Sequence, residues 1–133
     1  MKVFGALAVS ILFLAGCAQP NPYAVMRDAN RAALVSVDVG MSKAQVQDIM
    51  GTKSAEIKEI GLGRYENPYK RETIQGKDGQ SYEILYYYTQ QIGDNPIETG
   101  LSPVVFLGGK VVGIGWGFLD GLTGTSTSTI RRR

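Results

Sequence analysis

Two stretches in the second half of the chain are apolar on both parities of a strand repeat, and nothing else in the sequence limits the fold as much. In Tyr82-Glu83-Ile84-Leu85-Tyr86-Tyr87-Tyr88, the set Ile84, Tyr86 and Tyr88 alternates with Leu85 and Tyr87. Val104-Val105-Phe106 and Val111-Val112 repeat the pattern. Successive strand residues point to opposite faces, so a sheet built from these segments carries aliphatic and aromatic groups on each side. Helices on one side leave the other exposed to water. The second face therefore needs its own cover: a partner, a second copy, or the termini of the same chain.

The turns between these strands are marked. Gly76-Lys77-Asp78-Gly79, with its Asp-Gly pair, separates Tyr69–Gln75 from Ser81–Gln90 and predicts a hairpin. Gly108-Gly109 joins Val104–Leu107 to Lys110–Phe118 in a second one. A two-residue turn there pairs Phe106 with Val111 and Val105 with Val112. In the last strand Val112, Ile114, Trp116 and Phe118 alternate with Gly113, Gly115 and Gly117. The bulky set marks the face under the helices, and Phe106 and Val111 fall on the flat glycine side. Ile57–Ile60 reads as a short strand, Gly61–Pro68 as a loop and Gln91–Gly100 as a polar loop.

Two helices precede the strands. Tyr23–Leu34 places Tyr23, Met26, Ala29 or Asn30, and Ala33 on one face. Met41-Ser42-Lys43-Ala44-Gln45-Val46 carries a capping box, with Ser42 as N-cap and Gln45 at N3. Met41 and Val46 occupy the staple positions, Val46, Ile49 and Met50 form the buried stripe, and Gly51 ends the helix. Lys43 reads as an exposed first-turn residue. The resulting expectation is an α+β fold, two helices packed on a three-stranded antiparallel meander (ααβββ).

The start of the chain is set apart. Lys2 precedes Val3–Ala15, which is apolar except for Ser10 and shorter than the roughly 20 residues a spanning helix needs. The run closes on Leu14-Ala15-Gly16-Cys17, which resembles the lipobox of bacterial lipoproteins: small residues fit the peptidase groove and the thiol accepts a diacylglyceryl group. This divides the chain into a signal peptide (1–16), a lipidated, proline-containing tether (17–22), an α+β domain (23–120) and a flexible basic tail (121–133). Ala18 after the cysteine implies sorting to the outer membrane, facing the periplasm. Lipobox processing adds at least two acyl chains, which makes attachment durable.

Composition removes several function classes. Cys17 is the only cysteine and there is no histidine, so Ser-His-Asp and Cys-His catalysis, disulfides and the usual zinc sites are absent. Apart from the covalent lipid, no cofactor or metal is expected. The 14 basic residues less Lys2 stand against 12 acidic ones, and three of the positives are Arg131, Arg132 and Arg133. The domain is thus slightly acidic and lacks a nucleic-acid footprint. Asp120 and Glu83 are the carboxylates weighed for an acid/base pair, against the commoner role of solvated surface charge. Gly113-Ile114-Gly115-Trp116-Gly117 has phosphate-loop spacing without an expected strand-then-helix context. The tyrosines either hold a ligand or pack the sheet, and the terminal arginines either touch anionic head groups or are solvated.

The stretch Gly40-Met41-Ser42-Lys43-Ala44-Gln45-Val46, closing on Ile49-Met50-Gly51, resembles the helix signature of the SmpA/OmlA (BamE-like) lipoproteins. Tyr82–Tyr88 matches that family's aromatic strand, and Val104–Val112 its last hairpin. The resemblance covers roughly residues 35–118, and the same small fold recurs in secreted inhibitors similar to the β-lactamase inhibitor proteins. It implies a non-catalytic, membrane-anchored interaction module, accessory to outer-membrane assembly or integrity. The alternative is an inhibitor or sensor that binds a periplasmic enzyme or small ligand. The partners implied are the membrane, through Cys17, and an envelope protein; the oligomeric state stays open. The expected docking surface is the sheet face away from the helices: Leu85, Tyr87, Phe106, Val111, Gly113, Gly115 and Gly117. The competing possibility is that the tether, the first helix or the 121–133 tail folds over it.

Overall fold

A computed structural model describes residues 21–56, 64–90 and 100–124. The expectations for the signal peptide, Cys17, the 57–60 strand, the 91–99 loop and the terminal arginines lie outside them. Helix α1 (Pro22–Leu34) starts where Asn21 Oδ1 accepts from the Tyr23 amide at 3.0 Å, with proline in the first turn. Its buried residues are Tyr23, Met26 and Asn30, the predicted spacing. Helix α2 (Lys43–Met50) is held by the predicted capping box. Gln45 N donates to Ser42 Oγ at 3.2 Å, and Ser42 N donates to Gln45 Oε1 at 2.8 Å. Gly51 ends α2 at a φ of 68°, where a side chain would be strained. Lys43 is a correction: it forms an ion pair with Glu83 that ties α2 to the sheet.

The sheet is a four-stranded antiparallel meander, β3 (Lys70–Gln75), β4 (Ser81–Tyr88), β5 (Leu101–Leu107) and β6 (Lys110–Ile114), one strand more than expected. Both hairpins form where the turn residues place them. A separate ribbon pairs β1 (Ser54–Glu56) with β2 (Arg64–Glu66), and β2 falls inside Gly61–Pro68, the span expected to be loop. Phe106 pairs with Val111 as predicted, but Val105 pairs with Gly113 and Val104 with Ile114. Val112 is the extra residue of a β-bulge, which overturns the Val105–Val112 pairing and moves the parity of everything after it. The outer edge of β6 is closed by the chain leading into α2. Gly40 N donates to Val111 O at 2.8 Å, Val111 N to Met41 O at 2.9 Å and Lys43 N to Gly109 O at 3.0 Å.

The last expected strand stops at Ile114. Gly115 takes a φ of 89° and the chain turns into helix α3 (Trp116–Thr123), capped by Gly124 in the left-handed conformation. Residues 121–123 therefore belong to a helix and not to a flexible tail. Lys77 N donates to Leu122 O at 3.0 Å, tying the end of α3 to the β3–β4 turn.

Both faces of the sheet are consequently covered from within. One carries Tyr82, Ile84, Tyr86, Tyr88 and Val105, roofed by Tyr23 and Met26 of α1, by Tyr65 of β2, and by Leu119, Trp116 and Leu122 of α3. The other carries Leu85, Tyr87, Val104, Phe106 and Val111, under Val46 and Met50 of α2, Val37 and the end of α1. Helix α1 crosses between the two cores at Asn30, which forms a reciprocal amide pair with Asn67. Asn30 Nδ2 donates to Asn67 Oδ1 at 2.8 Å and to Tyr88 O at 2.9 Å; Asn67 Nδ2 donates to Asn30 Oδ1 at 2.6 Å and to Met50 O at 3.0 Å. Among the described residues no helix is long and apolar enough to cross a membrane.

Candidate binding niche

The docking face expected from the sequence is not an open surface. Leu85 and Tyr87 are 0% exposed and Phe106 and Val111 are 1% exposed, because this is the face that α2 covers. The physical reason is parity: the bulge at Val112 and the turn at Gly115 break the alternation of Val112, Ile114, Trp116 and Phe118 that a continuous strand would need. The glycines do not form one flat face either. A Cβ on Gly113 would lie 2.2 Å from the Phe118 ring, so this glycine makes room for α3. Gly115 is the strand-to-helix turn, and Gly117 lies on the exposed side of α3. The glycine run does join a strand to a helix, contrary to the sequence reading. Glu83 sits on β4, where Lys43 of α2 holds it, and Asp120 sits on α3 across the sheet, so the two do not come together.

The chemistry left at the surface concentrates where the start of β3 meets the start of α3. A cavity of about 120 Å³ is lined by Lys70, Glu72, Tyr86, Leu101 and Trp116. Lys70 and Glu72 share a strand parity, and Tyr86 is the cross-strand partner of Lys70. The Tyr86 hydroxyl donates to Glu72 Oε1. Lys70 Nζ sits 2.9 Å from Glu72 Oε2 and 5.3 Å from the centre of the Tyr86 ring, within cation–π range. The Trp116 indole N–H donates to Leu101 O at 2.6 Å, which fixes the ring beside Tyr86 with centroids 5.6 Å apart. Burial pushes the Glu72 carboxyl up, but the Tyr86 hydrogen bond and the Lys70 ammonium outweigh it and hold the group below the usual carboxylate range. The niche thus holds an ionised carboxylate bonded to the Tyr86 hydroxyl, the Trp116 ring beside Tyr86, and a lysine over the Tyr86 ring.

The remaining candidates are structural. Tyr23, Tyr65, Tyr69 and Tyr88 pack ring against ring, with centroid separations from 4.8 to 5.7 Å. Burial pushes the Tyr23 phenol up to about 12 and the Tyr88 phenol higher still. An open groove of about 350 Å³ runs between Arg31, Leu34, Val35, Thr89, Gln90 and Ser102, where the Arg31 guanidinium donates to Thr89 O at 2.9 Å. Among the described residues no three of His, Cys, Asp and Glu converge as metal ligands.

Sequence reading missed the niche. In the sequence the tyrosines stay open between ligand binding and sheet packing, Trp116 reads as part of the core face, and nothing singles out Lys70 or Glu72. One signal was available: two opposite charges on the same parity of a strand whose neighbour is aromatic. Comparison with known proteins gives no matching family model, no matching curated protein and no matching solved structure.

Proposed function

We propose that this chain is a lipid-anchored, non-catalytic interaction protein of the cell envelope, carried on the periplasmic side of the outer membrane and related to the SmpA/OmlA lipoproteins. The observation that carries the reading is Leu14-Ala15-Gly16-Cys17 at the end of an apolar run, followed almost at once by Asn21, the cap of the first helix. A tether from Cys17 to Asn21 reaches at most about 14 Å, so the domain rides close to the lipid surface. The capping-box helix and aromatic strand support kinship with that family. With both sheet faces closed internally, the contact site of such a module is the niche of Lys70, Glu72, Tyr86 and Trp116.

The test is metabolic labelling with a palmitate analogue, together with the intact mass of the membrane-fraction protein. The expected product begins at Cys17 with a diacylglyceryl adduct, and Cys17→Ala gives an unlabelled, unprocessed or mislocalised chain. Label that persists in Cys17→Ala, or a wild type that never takes up label, ends the proposal.

A further inference from the structure

We infer that the Glu72–Tyr86–Trp116 niche binds a primary alkylammonium group, and that Lys70 is its built-in occupant, which an outside ammonium displaces. This rests on the niche being the module's contact site and not on the lipid at Cys17, so the two ideas fail separately. The Tyr86 hydroxyl donates to Glu72, and the Trp116 N–H donates to the Leu101 carbonyl. Both donors are engaged within the protein, and the Lys70 ammonium that lines the cavity is itself paired with Glu72. The cavity is lined by Glu72 and by the Tyr86 and Trp116 side chains; a carboxylate and aromatic rings attract positive charge.

The protein already places a cation there. Lys70 Nζ makes the ion pair with Glu72 at 2.9 Å and the ring contact with Tyr86 at 5.3 Å, the two contacts an alkylammonium guest would make. Its side chain is 44% exposed and that of Glu72 31%, so the internal pair is an open one on a flexible stem. Pairs of this kind hold their geometry by about fivefold or less in equilibrium terms. A guest therefore competes with a weakly held arm, and the cavity of about 120 Å³ beside it has room for a small ammonium head and its first methylenes. An affinity in the millimolar range (on the order of 1–10 mM) follows for a single small ammonium.

Trp116 is the only tryptophan, so its indole N–H resonance reports on the niche without ambiguity. The experiment titrates the purified full chain in non-ionic detergent with n-butylammonium, which mimics a lysine side chain, and with ethanolammonium, which mimics a lipid headgroup. Sodium chloride at equal ionic strength and uncharged n-butanol are the controls. The expected result is a saturable shift with at least one ammonium and with neither control. Glu72→Gln keeps the shape and the Tyr86 hydrogen bond but should weaken binding about fivefold. Lys70→Met should tighten it by up to about fivefold. Preference for n-butylammonium assigns the source to protein lysines, and preference for ethanolammonium to lipid. The inference is overturned if the controls reproduce the shift, if neither ammonium saturates even in folded Lys70→Met, or if folded Glu72→Gln binds like wild type.

Discussion

Replacing Asn30 with alanine should cost about 3 kcal/mol, far more than a polar-to-alanine change on a helix surface. Asn30 is 0% exposed, and its amide meets Asn67 in both directions as well as the Tyr88 carbonyl. Alanine leaves three buried groups unpaired: Asn67 Oδ1, one N–H of Asn67 Nδ2, and Tyr88 O. Each costs about 1–3 kcal/mol, and the low end applies because water can enter the space the amide vacates. For a domain of this size urea m-values run at about 1–1.5 kcal/mol/M, so the midpoint should fall by roughly 2–3 M, read by Trp116 fluorescence. The double variant Asn30→Ala/Asn67→Ala should cost about 1–2 kcal/mol less than the sum of the singles, because each single orphans the other's groups. A single-variant loss below about 1 kcal/mol, or strictly additive singles, would refute the claim that this pair fastens α1 to the β2–β3 junction and to the end of α2.

Tyr87 is fully buried, and among the described residues its hydroxyl finds no hydrogen-bond partner. Tyr87→Phe should therefore stabilise the fold by about 1 kcal/mol in the same urea assay, and a loss of that size would mean the hydroxyl is bonded after all. Burial raises Tyr23 and Tyr87 from 10.0 to about 12, so the neutral phenols are favoured in the folded state. A raised folded pKa leaves stability intact below pH 10.0 and erodes it from there to about 12. Urea midpoints measured from pH 9 upward should be flat and then fall above pH 10, while the phenolate absorbance of these two residues in the folded chain rises only toward about pH 12. Phenolate formation by all seven tyrosines near pH 10.0 in a still-folded chain would contradict this.

The sequence made some of this fold plain and hid the rest for identifiable reasons. Helix α2 was readable because every signal that sets it is local: Ser42, Gln45, Met41, Val46 and Gly51 lie within about three turns. The hairpins were readable because Asp78-Gly79 and Gly108-Gly109 permit few other conformations. The two-sided apolarity of β4 and β5 correctly announced a cover for each face. What supplied the second cover was obscured by an overlap of periods. Trp116 and Phe118 continue the alternation of Val112 and Ile114, while Trp116, Leu119 and Leu122 equally fit a helix of period 3.6. Gly115 at positive φ decides between them, and the one-residue bulge at Val112 made strict alternation from Val105 onward unreliable. Asn30 stood on the apolar stripe of α1, the mark of a buried polar partner, but its partner lies 37 residues away and only the tertiary fold brings the two together. The niche is of the same kind. Lys70 and Glu72 become more than surface charges only when α3 folds back and sets Trp116 beside Tyr86.

The central claim is that the chain after Gly115 turns back as a helix and closes the second face of its own sheet. Nuclear Overhauser contacts of Gly113 test it most directly. The structure places the Phe118 ring directly over Gly113, so the Gly113 Hα protons should show strong contacts to that ring and upfield ring-current shifts. Sequential amide contacts should run through Trp116–Thr123 as in a helix. An extended pattern of contacts continuing from Lys110 through Phe118, with Gly113 far from any aromatic ring, would contradict the account and reopen the sheet face to a partner.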